Sequence, residues 1–158
     1  MDHPNQQLSR ESREANLYRM LLRSMQGMNR TVMARIAARG FRDVSAAYPR
    51  LLANLDTDGT RISTLAERMG VTRQAAGRLA IEIEAKGYVD RLVDPDDARA
   101  TLVVYTPRGL GLLRTAISVI GEVELEYEAA MGRADYRRLK DGLRDFIAIA
   151  DPDGGFGR

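Results

Sequence analysis

The segment from Ile62 to Leu79 is the feature that most constrains how this chain can fold. It holds two short helical patterns separated by Gly70, and Ala66 provides a small side chain where the two helices would cross. Packing two helices at a steep angle across a short turn requires apolar residues at fixed offsets. The apolar residues at these offsets are Leu65, Met69, Val71, Ala76 and Leu79. The pattern therefore predicts a helix-turn-helix, and an ordinary helical hairpin with no nucleic-acid role is the alternative.

The outward side of the second helix is polar and basic, because no acidic residue occurs between Val71 and Ile81. The residues that we expect on this side are Thr72, Arg73, Gln74, Gly77 and Arg78. Arginine can bind guanine through two hydrogen bonds, glutamine can bind adenine in the same way, and a small residue allows close approach. The positive end of the helix dipole would also face the phosphates. We therefore predict that these five residues enter the major groove of double-stranded DNA.

Two β-rich stretches follow, at residues 88–93 and 100–105, and they flank the charged segment Asp94–Arg99. This arrangement predicts a β-hairpin, which completes a winged helix when it follows a helix-turn-helix. Arg99 on such a thin ribbon can enter the minor groove, and we expect Asp97 to hold its guanidinium group. Weaker candidates for phosphate contacts are Arg61 and Arg91. A solvated turn with a fortuitous ion pair is the alternative for the hairpin tip.

Long helical patterns flank this unit on both sides. From Leu17 to Ile36 apolar residues recur every three or four positions, and Gly40 follows as a left-handed cap. The helix that begins at Thr106 and Pro107 has two apolar faces, more than one neighbour needs, so one can cover the winged helix and the other a partner subunit. The two faces consist of Leu110, Leu113, Ile117 and Ile120, and of Ala116, Val119, Val123 and Tyr127. The last helix is marked by Tyr136, Leu139, Leu143, Phe146, Ile147 and Ala150.

Several local features carry further expectations. Pro49 lies inside the helical pattern Val44–Leu55, where we expect a kink or a distorted first turn rather than a late start. Residues 64–67 (TLAE) fit a capping box that would start a helix at Ser63 or Thr64. Four alternating acids cannot all share one helix face, and we interpret them as solvated charge. They are Glu122, Glu124, Glu126 and Glu128. Four methionines and one tyrosine could line an adaptable ligand pocket, although filling of the core is the favoured interpretation. These residues are Met20, Met25, Met28, Met33 and Tyr48.

Composition excludes several classes of protein. The 158 residues include no Cys and a single His, His3, which excludes disulfides, Cys nucleophiles and a Cys/His zinc site. The net charge is only +2, but residues 8–50 hold nine Arg against three acidic residues, which suggests a polyanionic partner. No apolar run is long enough to span a membrane and the first residues are polar, so we expect a cytoplasmic protein. No nucleophile–base pair is discernible, so we expect no enzymatic activity and no cofactor; a hydrolase or transferase is the least favoured alternative.

Four segments resemble the MarR-like (multiple-antibiotic-resistance-regulator) transcription factors: residues 73–78 (RQAAGR), 84–89 (EAKGYV), 94–100 (DPDDARA) and 102–109 (LVVYTPRG). The resemblance runs in order from about Leu17 to Ala150. It implies a two-fold dimer held by the first and the last two helices, a pseudo-palindromic operator and, mostly, repression. It also implies, in many members, release by small aromatic or phenolic ligands bound between the dimerisation helices and the winged helix. The chain departs from the family at Ala98, where a basic residue is common, and at Pro49.

We therefore predict a single domain over residues 1–158, all-α with a small β-hairpin wing. Residues 44–106 form the winged helix-turn-helix, and residues 8–39 and 107–150 form the N- and C-terminal dimerisation helices. The expected partners are double-stranded DNA, a second copy of the chain and a small aromatic effector, with no membrane and no metal. The expected function is sequence-specific regulation of transcription, as a repressor. The alternative is a winged-helix module that binds proteins and not DNA.

Overall fold

The computed structural model describes residues 16–151. Within that range the chain forms six helices and three short strands. In chain order they are α1 (Leu17–Ala38), α2 (Tyr48–Leu52), β1 (Thr60–Arg61), α3 (Ile62–Arg68), α4 (Arg73–Ala85), β2 (Val89–Asp94), β3 (Asp97–Tyr105), α5 (Pro107–Met131) and α6 (Arg133–Ala150). The mostly helical fold with a small β wing is confirmed. Residues 8–15 of the predicted N-terminal region lie outside the described range.

The three strands form one antiparallel sheet in the order β1-β3-β2. β2 and β3 make the hairpin, with Val89 opposite Tyr105 and an irregularity in the pairing between Val93 and Asp94. β1 joins the other edge of β3, where Thr60 lies opposite Val103. The hairpin strands extend closer to the tip than predicted. Because β1 pairs with β3 and runs directly into α3, the sheet connects the start of the helix-turn-helix to the wing.

The helix-turn-helix consists of α3, a turn through Gly70 and α4. Gly70 adopts a φ of +61°, a left-handed conformation that glycine reaches without strain. α4 begins where Thr72 Oγ1 accepts a hydrogen bond from the backbone N of Ala75 at 3.2 Å, as the sequence predicts. The expected capping box at residues 64–67 is wrong, because α3 already begins at Ile62, directly after the β1 pairing, and Thr64 lies inside its first turn. Leu65, Met69, Ala76 and Ala80 are buried between the helices.

The helix that contains Pro49 is shorter than predicted. α2 spans only Tyr48–Leu52 and holds Pro49 in its first turn, so the expected kink is wrong and the helix starts late. Proline is tolerated there because the first backbone N–H groups of a helix have no intrahelical acceptor to lose. The buried residues of this segment are Tyr48, Leu51, Leu52 and Leu55.

α1 and α5 run in opposite directions and are joined by two ion pairs. Arg35 contacts Glu126 at 2.7 Å, and Arg39 contacts Glu122 at 2.6 Å. The remaining two glutamates face α6, in the pairs Glu124–Lys140 and Glu128–Arg133. The interpretation of these four acids as solvated charge holds in part, because their side chains remain 34–60% exposed. Residues four apart share a helix face, so the run also forms two sets of ion pairs that contact two different helices.

The core lies where α5 crosses the winged helix and the C-terminal half of α1. It is built from Val32 and Ile36 of α1, Val119 and Val123 of α5 and the buried side chains of the helix-turn-helix. α6 has no buried residue in the protomer. Among residues 16–151, no helix is both long and apolar enough to cross a membrane.

Candidate nucleic-acid interface

The exposed face of α4 brings together the residues predicted to read DNA. At about 100° per residue, Gln74, Gly77 and Arg78 point to one side of the helix, opposite the buried Ala76 and Ala80. Thr72, Arg73, Gln74 and Arg78 are exposed, and Gly77 is half-buried. The first two turns of α4 therefore form a continuous open surface.

The positive charge on this surface is not neutralised by any acid within residues 16–151. Over the described residues, neither Arg73 nor Arg78 forms an ion pair, whereas other arginines of the winged helix contact acids. These pairs are Arg61–Asp94, Arg68–Asp56 and Arg91–Glu84. Two guanidinium groups on one exposed helix face that have no acid partner can bind an external anion.

The amino end of α4 adds backbone donors to the same surface. The Thr72 hydroxyl accepts the capping hydrogen bond from Ala75, which leaves its own O–H free to donate. No acidic residue lies in the first turn of α4. The partial positive charge of the helix dipole thus adds to that of Arg73.

The wing carries Asp97 and Arg99, both exposed. The sequence predicts that Asp97 holds the guanidinium group of Arg99. Instead, Asp97 Oδ1 accepts a hydrogen bond from the backbone N of Arg99 at 3.0 Å, and so shapes the tip of the hairpin. The Arg99 side chain forms no ion pair in the part of the chain that the structure describes. No group of three or more His, Cys, Asp or Glu that could hold a metal ion occurs within residues 16–151.

Arg61 and Arg91 are engaged with acids of the winged helix. Arg61 Nε donates to Asp94 Oδ2 at 2.5 Å, and this guanidinium group lowers the pKa of the Asp94 carboxyl. Arg91 donates to Glu84 through both its backbone N, at 3.1 Å, and its Nε, at 2.7 Å. Both arginines therefore brace the wing against the rest of the domain.

A buried tyrosine at the junction of the winged helix and α5 joins three segments that no sequence pattern connects. The Tyr88 hydroxyl donates to Asp43 Oδ1 at 2.5 Å and lowers the pKa of that carboxyl, while burial raises the pKa of Tyr88. Arg108, at the start of α5, contacts Asp43 at 3.0 Å and lies 4.5 Å above the Tyr88 ring. Phe41 and Tyr48 pack against the same ring. This aromatic cluster fixes the winged helix to α5.

A wide apolar groove of about 820 Å³ opens between α1, α5 and α6, away from the α4 surface. Its main apolar residues are Leu21, Met25, Met28, Tyr127, Met131, Leu139, Leu143 and Ile147. The methionine-lined pocket considered from the sequence is therefore divided. Met25 and Met28 line the groove, Met20 is exposed, Met33 packs against the core and Tyr48 is buried.

Comparisons with known proteins find chains of similar sequence and fold. Residues 42–100 match the model of the MarR family. Apo MarR from E. coli is 21% identical, with a TM-score of 0.68 and coverage of 84% of this chain and 96% of that one. The repressor CouR bound to a 23-mer DNA duplex is 18% identical, with a TM-score of 0.69 and coverage of 88% and 97%. CouR from Rhodococcus jostii RHA1 bound to p-coumaroyl-CoA is 21% identical, with a TM-score of 0.66 and coverage of 88% and 94%.

A search of curated proteins gave no match. The winged helix-turn-helix carries the family signal in its sequence, and the fold extends the similarity to the flanking helices. Together, the match over residues 42–100 and the shared fold confirm the resemblance of this chain to the MarR family of winged helix-turn-helix transcriptional regulators.

Proposed function

We propose that this chain is a sequence-specific regulator of transcription that binds a pseudo-palindromic operator as a homodimer and acts as a repressor. The observation that carries the proposal is the open face of α4, on which Gln74 lies between Arg73 and Arg78 and neither arginine has an acid partner among residues 16–151. Duplex DNA supplies what this face lacks: phosphates for the cations and base edges for the planar donors. Arg99 on the wing adds a cation for the neighbouring minor groove.

The dimer is proposed from the apolar surface that the protomer leaves open. Ile117 and Ile120 of α5 and Phe146 and Ile147 of α6 are all at least 40% exposed. Large apolar side chains exposed on two helices mark an interaction surface, and a second copy would cover them. Dimerisation also presents two recognition helices to half-sites about 34–36 Å apart.

Release by a small aromatic ligand is the last part of the proposal. It is supported by the solved CouR structure with bound p-coumaroyl-CoA and by the aromatic cluster around Tyr88, which lies between α5 and the winged helix. A ligand that separates Phe41 or Tyr48 from Tyr88 would change how α4 is held relative to α5. Binding of aromatic acids, followed by fluorescence and by DNA affinity, tests this step.

The decisive experiment is selection of genomic fragments with the purified protein, followed by footprinting and a salt titration of the selected duplex. We expect protection of two half-sites one helical turn apart and an affinity that falls steeply with salt. A second candidate is a protein-binding winged helix, which the exposed apolar side chains of Ile81, Leu92 and Val93 favour. That candidate predicts no salt-dependent duplex binding.

A further inference from the structure

Ile81 is a large apolar residue on the otherwise polar face of α4. Its side chain is 49% exposed, whereas Ala76, Ala80 and Ile83 on the opposite face are at most 1% exposed. Ile81 follows Gln74 by seven residues and Arg78 by three, so the three side chains line the same side of the helix. The exposed apolar group is thus part of the surface that the proposed function assigns to DNA.

The surroundings of Ile81 limit what can cover it. The two acids that follow on α4 are turned to other contacts. Glu84 accepts a hydrogen bond from Arg91. Glu82 lies beside the Tyr48 hydroxyl, and the pKa of Tyr48 is raised mainly by burial and in addition by the Glu82 carboxylate. A partner that covers Ile81 must also cover Arg78, which has no acid partner over residues 16–151. The partner therefore has to combine negative charge with a small apolar group.

A duplex displays such a combination in its major groove. The C5-methyl group of thymine is the apolar feature of the base edges there, and apolar side chains discriminate thymine by contacting it. Gly77 lies one turn before Ile81 on the same side, and a Cβ built on it meets no atom within 4 Å. The missing side chain at Gly77 therefore leaves room for a base edge to approach the helix beside Ile81.

We infer that Ile81 is a specificity-determining residue that contacts the C5-methyl group of a thymine in each half-site; the inference rests on the proposed DNA-binding function. Seven residues at 1.5 Å each place Ile81 about 10.5 Å along the helix from Gln74.

The test removes the methyl group from the DNA and the side chain from the protein. Each thymine of the selected operator is replaced by deoxyuridine, symmetrically in both half-sites, and the dissociation constant is measured for the wild type and for Ile81→Ala. Leu92→Ala is the matched control, because Leu92 is equally exposed, at 50%, but lies on β2. Far-UV circular dichroism and thermal unfolding establish that each variant is folded.

We expect one thymine position at which the wild type and Leu92→Ala lose about fourfold in affinity per half-site, the value of one buried methyl-sized group. Ile81→Ala should bind the thymine and deoxyuridine operators equally. The inference is overturned if no position is sensitive, or if Ile81→Ala keeps the full discrimination while Arg78→Ala weakens binding. If the wild type binds no duplex in a salt-dependent way, the proposed function fails and the inference fails with it.

Discussion

Asp94 accepts a hydrogen bond from Arg61 Nε at 2.5 Å, and so joins the strand before the helix-turn-helix to the tip of the wing. The Asp94 side chain is almost fully buried and also accepts a bond from the backbone N of Asp96 at 2.8 Å. Because β1 runs directly into α3, this pair fixes the wing relative to the first helix of the motif. The wing is thus braced from within the DNA-binding unit.

The stability of the protein should depend on pH through this pair. Arg61 lowers the pKa of Asp94 in the folded state. The ion pair therefore adds to the free energy of unfolding above the ordinary aspartate pKa of about 3.9, and this contribution is lost as the pH falls through the lowered pKa of the folded state. Asp94→Asn should therefore reduce the free energy of unfolding at pH 7 more than at pH 3. Urea unfolding of both proteins at the two pH values measures the difference. An equal loss at both values would show that the ionised pair contributes nothing.

Affinity for the operator should depend strongly on the open face of α4. Replacing Arg73 or Arg78 with Ala should cost about 1–3 kcal/mol for the selected sequence if the side chain reads a base, with a smaller loss for unrelated duplexes. Electrophoretic mobility or anisotropy titrations of the two duplexes measure this. Arg114→Ala is the control, because it removes one exposed arginine from α5 and leaves α4 intact. Equal affinities for all three variants would refute the assignment.

The wing arginine should contribute charge more than sequence discrimination. Arg99→Ala should weaken binding to all duplexes and reduce the slope of log K against log salt by about one unit, as expected for one lost phosphate contact. Arg61→Ala and Arg91→Ala should change the slope less, because each of these guanidinium groups is already paired with a carboxylate. Salt titrations at fixed pH compare the three variants. A larger slope change for Arg91→Ala than for Arg99→Ala would contradict the assignment of the wing contact.

The Tyr88 hydroxyl should stabilise the junction between the winged helix and α5. Tyr88→Phe keeps the buried ring but removes the hydrogen bond to the Asp43 carboxylate, so we expect a loss of about 1.5–3 kcal/mol in the free energy of unfolding. Tyr18→Phe is the control, since Tyr18 is 78% exposed and should be neutral. Denaturant unfolding measures both variants. A neutral Tyr88→Phe would show that Arg108 alone satisfies Asp43.

The parts of the fold that depend on local hydrogen bonds could be predicted from the sequence. Thr72 and Thr106 each cap a helix by accepting from a backbone N three residues later, and both caps are confirmed. The same local reasoning failed at Thr64, because pairing of β1 with β3, which is far away in sequence, decides where α3 begins. Local signals are reliable where no distant contact competes with them.

The contacts that determine how the site is held could not be predicted. Tyr88 and Asp43 are 45 residues apart, and Arg35 and Glu126 are 91 apart, so their pairing depends on how the helices pack. The spacing in the sequence was enough to place the α4 residues on one face, because helical periodicity determines which side chains of a helix point to the same side. It could not show that Arg73 has no acid partner in the described part of the chain while Arg61 and Arg91 each have one.

The groove between α1, α5 and α6 should be where two copies of the chain associate. Leu139 lines this groove and is 44% exposed in the protomer, so Leu139→Glu should leave the protomer folded. In a dimer the new carboxylate would be buried against apolar side chains without a partner, which is strongly unfavourable.

We expect size-exclusion chromatography with light scattering to give twice the 17.6 kDa chain mass for the wild type and one chain mass for the variant. Operator affinity should fall with the dimer, because one recognition helix alone buries too little surface. Ala46→Glu, which adds the same charge at an exposed loop position, should remain dimeric. If Leu139→Glu keeps the dimer mass and its operator affinity, the two copies associate through another surface.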